Sequence, residues 1–173
     1  MIKRFIPDIY QESIFKIDYN KLKKNKIKCI LFDLDNTISP AKEVVLCNKT
    51  KKLIDKLKKD FKIILFSNNF PKRIKKFGDF YDVDIACLSL KPFTYKYRYI
   101  LKKYKYKNYE VAAIGDQLLT DIQGGNKAQI TTILVNPISE IDEKETWLNR
   151  KIEKMLFEYF ERKNILIRGK YYD

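Results

Sequence analysis

The chain contains 173 residues and carries a formal net charge of +14, with 36 lysines and arginines against 22 acidic residues. This length supports one sizeable core, and no apolar stretch approaches the ~20 uncharged residues of a membrane-spanning helix. The three cysteines lack metal spacing and histidine is absent, so a zinc site is not expected.

We predict one domain over residues 1–173, with a flanking segment at 1–26 and a helix and tail at 143–173. The first residues include basic side chains but no apolar run long enough for a secretory signal, which predicts a cytoplasmic protein. The positive charge favours anionic partners, namely nucleic acid, an anionic membrane or a phosphorylated substrate, without choosing among them. A lysine-rich composition imposed by an AT-rich genome is the alternative explanation of this charge.

In chain order, segments rich in Ile, Val, Leu and Phe alternate with segments of helical spacing. The predicted strands are 27–33, 61–67, 84–89, 111–114 and 131–135, and the predicted helices are 50–59, 72–77, 95–104, 118–128 and about 144–163. Residues 1–26 show little strand character and are expected to form helical turns on the flank of the sheet. The alternation predicts an α/β fold in which helices cover both faces of a central parallel sheet.

Four of the five predicted strands end in polar residues whose chemistry is complementary. These residues are Asp33 and Asp35 after the first strand, Ser67 and Asn68 after the second, Lys91 after the third, and Asp116 and Asp121 after the fourth. Parallel strands place their carboxyl ends at one edge of a sheet, so we expect these side chains to share one crevice.

Such a set is typical of phosphoryl transfer, which requires an aligned nucleophile, neutralised phosphate oxygens and a proton for the leaving group. Asp33 is the predicted nucleophile, and Asp35 is the predicted acid for the first step and base for the second. Lys91 would set a positive charge against the developing negative charge. Ser67 and Asn68 are predicted to donate hydrogen bonds to phosphate oxygens.

The same edge predicts a Mg²⁺ site, because carboxylate oxygens are the ligands that this cation prefers. Asp116 would complete the site with Asp33, and Asp121 would orient it. The candidate metal residues are Asp33, Asp35, Asp116 and Asp121. A structural alternative exists for each, since acids after a strand can cap a turn and an acid early in a helix interacts favourably with the helix dipole.

The succession Asp-x-Asp-x-Thr, Ser, Lys-Pro and Gly-Asp-x4-Asp resembles the haloacid-dehalogenase-like (HAD) superfamily of phosphatases. Thr37 closes the first of these motifs and is a candidate substrate contact. A longer set of segments resembles the YqeG-type class IIIA branch, which is similar to the mitochondrial and plastid phosphatases that act on phosphatidylglycerophosphate. These segments are 7–10, 13–15, 33–37, 67–69, 91–92, 115–121, 124–126 and 149–150.

The resemblance implies a Rossmann-like HAD fold and a Mg²⁺-dependent phosphatase that works through an aspartyl-phosphate. An acid at Asp35 favours a phosphatase over a dehalogenase, because a leaving alcohol must be protonated. About thirty residues separate Thr37 from Ser67 and about twenty separate Asn69 from Lys91, fewer than the ~50 that a separate lid domain needs. We therefore expect an open, capless site.

The expected substrate is phosphatidylglycerophosphate, reached at the inner face of the membrane by a peripherally associated protein. One alternative is a phosphatase for a soluble sugar phosphate, nucleotide or nucleic-acid end. Another is a basic module that binds RNA or the ribosome and leaves its site unused. Nucleic acid is the less favoured partner, and a homo-oligomer is left open.

Overall fold

The computed structural model describes residues 2–41, 44–139 and 147–173. Its strands are β1 (Ile9–Gln11), β2 (Cys29–Phe32), β3 (Lys62–Phe66), β4 (Asp84–Ala86), β5 (Val111–Gly115) and β6 (Thr131–Val135). They form one sheet in the order β1-β6-β5-β2-β3-β4, and every neighbouring pair is parallel. The four strands that end in polar residues therefore open onto the same edge.

The helices are α1 (Tyr19–Lys24), α2 (Asn48–Leu57), α3 (Pro71–Tyr81), α4 (Tyr95–Tyr104), α5 (Gln123–Lys127) and α6 (Trp147–Arg162). Short 3-10 turns cover Ile2–Phe5 and Asn108–Glu110, and a π-helical turn at Leu118–Ile122 leads directly into α5. None of the helices in the described ranges combines the length and the apolar composition that crossing a bilayer requires.

Residues that alternate along the strands divide the core between the two faces of the sheet. Phe32 belongs to the face that packs against α1, α2 and α3. Its neighbour Leu31 belongs to the opposite face, which α4 covers, while α6 packs farther along that face against Leu134. Successive side chains of a strand point to opposite sides, so a strand buried on both faces is continuously apolar. The predicted α/β fold, with helices on both faces of a parallel sheet, is confirmed.

Several elements have the predicted bounds, and α3 is the instructive exception. Strand β6 and helix α4 coincide with the predictions for 131–135 and 95–104. Helix α3 was predicted only for 72–77, because Gly78 normally weakens a helix. It continues to Tyr81, since a side chain at Gly78 would overlap Ile85 of β4 and the glycine serves close packing instead.

The prediction for residues 1–26 is wrong in one respect, because this segment contributes a strand. Ile9–Gln11 pairs in parallel with β6, and Tyr10 also exchanges two backbone hydrogen bonds of 2.9 Å with Tyr172 on its other side. Three residues are too few for a periodic pattern, so only pairing with distant parts of the chain defines this strand. The prediction of a helix from about 144 agrees with α6 from Trp147, and 144–146 lie outside the described residues.

Candidate active site

A cleft of about 310 Å³ opens at the carboxyl edge of the sheet, where the predicted site residues meet. Its walls include Asp33 and Asp35 after β2, Ser67 and Asn68 after β3, Lys91 after β4, and Asp121 after β5. Asp116 and Thr37 lie beside this group, because the Thr37 hydroxyl is 3.4 Å from carboxylate oxygens of both Asp33 and Asp116. The eight candidate residues are thus brought to one place in the fold.

The Lys91 ammonium group is the centre of the cleft's charge network. It pairs with Asp33 Oδ1, lies 2.6 Å from Asp121 Oδ1 and donates to the Phe66 carbonyl at 3.1 Å. Burial alone would lower the pKa of this ammonium group, but Asp121 and Asp33 hold it above its ordinary value. The lysine therefore remains charged, which suits a group that must attract phosphate.

Asp33 itself is buried among charged side chains. Burial holds the pKa of the Asp33 carboxyl above its ordinary range, Lys91 acts in the opposite direction, and Asp121 and Asp116 add to the rise. The backbone N–H of Asp33 donates to the Ile114 carbonyl at 2.8 Å, which fixes this residue between β2 and β5. A buried acid with a perturbed pKa in a cleft is typical of a functional site.

Three of the acids form a group with the dimensions of a metal site. Carboxylate oxygens of Asp33, Asp116 and Asp121 all lie within 4.8 Å of one another. Burial raises the pKa of Asp116 to about 7, although the Arg150 guanidinium opposes that rise. The set consists only of hard oxygen donors, and it accumulates negative charge in a buried place, so it fits a hard divalent cation such as Mg²⁺.

Cationic side chains also contact this acidic group. Arg150 of α6 places Nη2 2.5 Å from Asp116 Oδ2 and Nη1 3.1 Å from Glu153 Oε2. Glu153 in turn accepts a 3.0 Å hydrogen bond from the Leu119 N–H in the π-helical turn. This chain of contacts ties the C-terminal helix to the acids after β5.

Asp35 does not join the three clustered acids, although the sequence pattern included it among the candidate metal residues. Its Oδ1 accepts hydrogen bonds from Arg73 Nη2 at 2.7 Å and Arg73 Nε at 3.2 Å, and its Oδ2 accepts one from Asn69. Burial raises the pKa of the Asp35 carboxyl, and Arg73 works against that rise. Arg73, which belongs to α3, and Asn69, which precedes that helix, therefore fix the orientation of the Asp35 side chain.

Asn68 holds the loop that carries Lys91. Its side-chain oxygen accepts hydrogen bonds from the Ser89 hydroxyl at 2.7 Å and from the Lys91 backbone N–H at 2.8 Å, and its amide donates to the Lys91 carbonyl at 3.3 Å. Ser67 lines the cleft, where its hydroxyl accepts a hydrogen bond from the Asn69 N–H at 3.1 Å. The Asn68 side chain thus fixes the position of Lys91 through hydrogen bonds within the protein.

Gly115, the last residue of β5, allows Asp121 to approach the strand end. A Cβ atom at this position would overlap the carboxyl group of Asp121, so no other residue fits without moving that carboxylate. Asp121 is further oriented by the Gln117 N–H, which donates to its Oδ2 at 3.2 Å. The glycine of the Gly115-Asp116 pair therefore allows a second acid, Asp121, to lie beside Asp116 at the same strand end.

No role was predicted for Arg73 or Arg150, which contact Asp35 and Asp116 respectively. Both are single cations in a chain with 36 lysines and arginines, and neither follows a strand. The available signals were weak: Arg73 lies in the first turn of α3 just after the polar residues that follow β3, and Arg150 belongs to one of the segments of the family resemblance.

Comparison of the sequence with known proteins gives a family model and a relative. A family model described as HAD-hydrolase-like matches residues 90–143. The chain is 33% identical over 168 residues to a Bacillus subtilis protein named as the probable phosphatase YqeG, and this alignment covers 94% of the chain and 96% of that protein.

Solved structures of similar fold include two sugar-phosphate phosphatases. One is the cobalt-bound deoxy-D-mannose-octulosonate 8-phosphate phosphatase from Haemophilus influenzae, with a TM-score of 0.54 and 12% identity over 79% of this chain and 90% of that one. The other is the D,D-heptose 1,7-bisphosphate phosphatase from B. bronchiseptica, with a TM-score of 0.53 and 18% identity over 75% of this chain and 99% of that one. At these identities the likeness concerns the fold alone.

Proposed function

The chain belongs to the HAD-like hydrolases and is a phosphatase of that family, and from this premise we propose that it is a Mg²⁺-dependent phosphomonoesterase that converts phosphatidylglycerophosphate to phosphatidylglycerol. The observation that carries the proposal is the meeting of Asp33, Asp35 and Lys91 in one cleft, with Asp116 and Asp121 beside them. These groups follow three strands, β2, β4 and β5, and together they provide each chemical role that ester hydrolysis requires.

In the proposed first step, the Asp33 carboxylate attacks the phosphorus atom of the ester. The bond between phosphorus and the alcohol oxygen breaks, and Asp35 gives its proton to that oxygen as the alcohol leaves. Burial raises the pKa of both the Asp33 and the Asp35 carboxyl groups. A cation held by Asp33 would favour the ionised form of that carboxyl, whereas Asp35 lies outside the cluster of three acids and can keep the proton that this step requires. The product bound to the protein is an aspartyl-phosphate at Asp33.

In the second step, water attacks the aspartyl-phosphate and Asp35 takes a proton from that water. The bond between phosphorus and Asp33 breaks, which returns the carboxylate and releases inorganic phosphate. Lys91 stabilises the negative charge that develops on the phosphate oxygens in both steps. The Ser67 hydroxyl donates a hydrogen bond to a phosphate oxygen, Thr37 provides a further hydroxyl near the nucleophile, and the amides around Asn68 complete the contacts.

Asp33, Asp116 and Asp121 would hold Mg²⁺, because their oxygens form a compact set of hard donors. When bound, the cation would neutralise phosphate oxygens and help to orient the ester for attack. The B. bronchiseptica phosphatase of similar fold is complexed with magnesium and phosphate, which supports this choice of cation. Asp35 is assigned to proton transfer and not to the metal, since its carboxylate is bound by Arg73 and Asn69.

The lipid substrate is supported by the resemblance to phosphatases of phosphatidylglycerophosphate and by the shape of the site. We propose that the chain forms one domain without a lid: a single helix, α2, is described between β2 and β3, and a single helix, α3, between β3 and β4. An uncovered cleft can accept a headgroup that stays attached to a bilayer. The net charge of +14 favours approach to an anionic membrane.

The proposal is tested by phosphate release from phosphatidylglycerophosphate in mixed micelles, compared with a panel of soluble sugar phosphates and nucleotides. We expect Mg²⁺-dependent release from the lipid and its loss in Asp33→Asn, which retains the shape of the side chain but not its nucleophilic carboxylate. An inert lipid together with rapid turnover of a soluble ester would overturn the substrate assignment. Activity that persists in Asp33→Asn would overturn the assignment of the nucleophile.

A further inference from the structure

The loops beside the cleft expose a set of large apolar side chains that the hydrophobic core leaves uncovered. We call this set the apolar rim; it consists of Phe70, Leu88, Leu90, Phe93 and Tyr95. The exposed fractions reach 73% for Phe70, 60% for Leu90 and 69% for Phe93. Single exposed apolar residues are ordinary, but a concentration of them within two neighbouring loops marks an interaction surface.

Two leucines of the rim also adopt a backbone conformation that leucine rarely takes. Leu88 has φ 47° and Leu90 has φ 53°, both in the left-handed region that glycine and asparagine tolerate far better. A non-glycine residue in this region is strained, and such strain concentrates at functional sites. The loop therefore carries strained leucines whose side chains stay 41% and 60% exposed.

Hydrogen bonds hold this loop rigidly in that conformation. Leu88 N–H donates to the Asn69 carbonyl at 3.0 Å, Ser89 N–H to the Ser67 carbonyl at 3.0 Å, and Phe93 N–H to the Leu90 carbonyl at 2.8 Å. The loop is thus attached to the residues that follow β3. Its leucines are presented outward by a defined structure.

The rim borders the mouth of the cleft. Phe70 lines the cleft and follows Asn69, whereas Leu90 and Phe93 flank the Lys91-Pro92 segment at the neighbouring strand end. A surface that contacts these residues would therefore lie directly over the proposed phosphate site.

Cations accompany the rim on the two helices that begin there. Helix α3 begins directly after Phe70 and contains a single acid, Asp79, and helix α4 begins at Tyr95 and contains none. The exposed basic residues closest in sequence to the rim are Lys72, Lys75 and Lys76 in the first half of α3 and Arg98 in the first half of α4, whereas Lys102 and Lys103 lie in the last turn of α4. Aromatic and aliphatic side chains together with surrounding cations are typical of proteins that lie on anionic bilayers.

We propose that the apolar rim inserts into the interfacial region of an anionic lipid bilayer and so places the cleft over the headgroups. The inference rests on the proposed function, because an ester anchored in a bilayer must be reached from the bilayer surface. Insertion would bury the side chains that the fold leaves exposed, and the nearby cations would attract anionic lipid.

The test compares the wild-type chain with the double variant Leu90→Asn/Phe93→Ser and with the control Tyr109→Ser. Asparagine suits the left-handed conformation at position 90, so the double variant should fold at least as stably at that position. Tyr109 is 62% exposed but precedes β5, at the opposite edge of the sheet. Binding is measured by co-sedimentation with vesicles of phosphatidylcholine alone and with vesicles of phosphatidylcholine and phosphatidylglycerol in equal parts, in which the second lipid supplies the negative surface charge.

We expect the wild type and Tyr109→Ser to bind the anionic vesicles, and the double variant to bind at least about tenfold more weakly. Weaker binding of the wild type at high salt is also expected, because cations contribute to the attraction. Equal binding by wild type and double variant, or no binding by the wild type, would overturn the proposal. The proposal would also be overturned if the wild type does not bind vesicles but forms a concentration-dependent dimer that the double variant does not form. In that case the rim would contact a second copy of the chain.

A soluble phosphomonoester separates this proposal from the proposed function. The vesicles contain no substrate, so binding is measured whether or not the lipid is hydrolysed. If the wild type binds through the rim while phosphatidylglycerophosphate remains inert, the substrate assignment fails and the docking surface stands. We expect the double variant to hydrolyse the soluble ester within about twofold of the wild-type rate, because neither residue belongs to the charge network of the cleft. If the hydrolysis rate instead falls as much as vesicle binding does, the two residues belong to the site itself and the proposal is overturned.

Discussion

Arg73 holds Asp35 through two nitrogens of its guanidinium group, and both donate to the same carboxylate oxygen. The same guanidinium donates to the Ala41 carbonyl at 2.5 Å, so it joins the loop after β2 to the start of α3. In the proposed mechanism Asp35 gives and then takes a proton, so its carboxyl group must point at the reacting oxygen. We therefore regard Arg73 as a positioning residue for Asp35.

The first prediction is that Arg73→Gln lowers kcat by about tenfold or more and changes KM much less, because a misplaced proton donor affects the reaction more than binding. Steady-state kinetics with a soluble phosphomonoester measure both parameters. Lys72→Gln is the matched control, since this neighbouring cation is exposed and should leave kcat unchanged. A wild-type kcat in Arg73→Gln would show that Asn69 alone suffices to orient Asp35.

The second prediction separates proton transfer from metal binding. Asp35→Asn should reduce turnover by roughly 10²–10⁴-fold while the protein still binds Mg²⁺, because the Asp35 carboxylate lies outside the cluster of three acids. Asp116→Asn should lose Mg²⁺ binding. The measurement is the rise in Tm on addition of Mg²⁺ to protein treated with EDTA, since a ligand that binds only the folded state raises its stability. A lost Tm response in Asp35→Asn would return Asp35 to the metal ligands.

The third prediction concerns the space between Gly115 and Asp121. Gly115→Ala should destabilise the fold by about 1–3 kcal/mol and abolish the Tm response to Mg²⁺, because the new methyl group displaces the Asp121 carboxylate. Chemical denaturation measures the loss of stability. In an Asp121→Gly background the same glycine substitution should cost much less, since both the carboxyl group and the Cβ atom that the new methyl group would meet are then absent. Equal costs in both backgrounds would assign the effect to another contact.

The fold was largely predictable because its strands are apolar on both sides and its connections follow one pattern. Residues 131–135 read as an uninterrupted run of branched side chains, and the strand has these bounds. Ile9–Gln11 was missed, since a strand of three residues has too little pattern and is defined by its partners β6 and Tyr172. The extension of α3 past Gly78 was missed because close packing against Ile85 overrides the low helix propensity of glycine.

The proximity of the acids was predictable from one geometrical rule, that parallel strands end at a common edge. Asp33 and Asp116 follow the paired strands β2 and β5, and they lie within one cluster as expected. Arg73 and Arg150 follow no strand and approach the acids through helix packing, which the sequence pattern does not encode. The direction in which Asp35 points depends on Arg73, so its separation from the cluster of three acids could not be predicted either.

The antiparallel bridge between Tyr10 and Tyr172 closes one border of the sheet. With its backbone groups at Tyr10 already used, β1 offers little for a foreign strand to join, and short β4 is left as the opposite border. Removal of 170–173 would expose the outer side of β1 and invite intermolecular strand addition. Tyr172 thus covers the outer side of β1, at a border of the sheet that lies away from the candidate site.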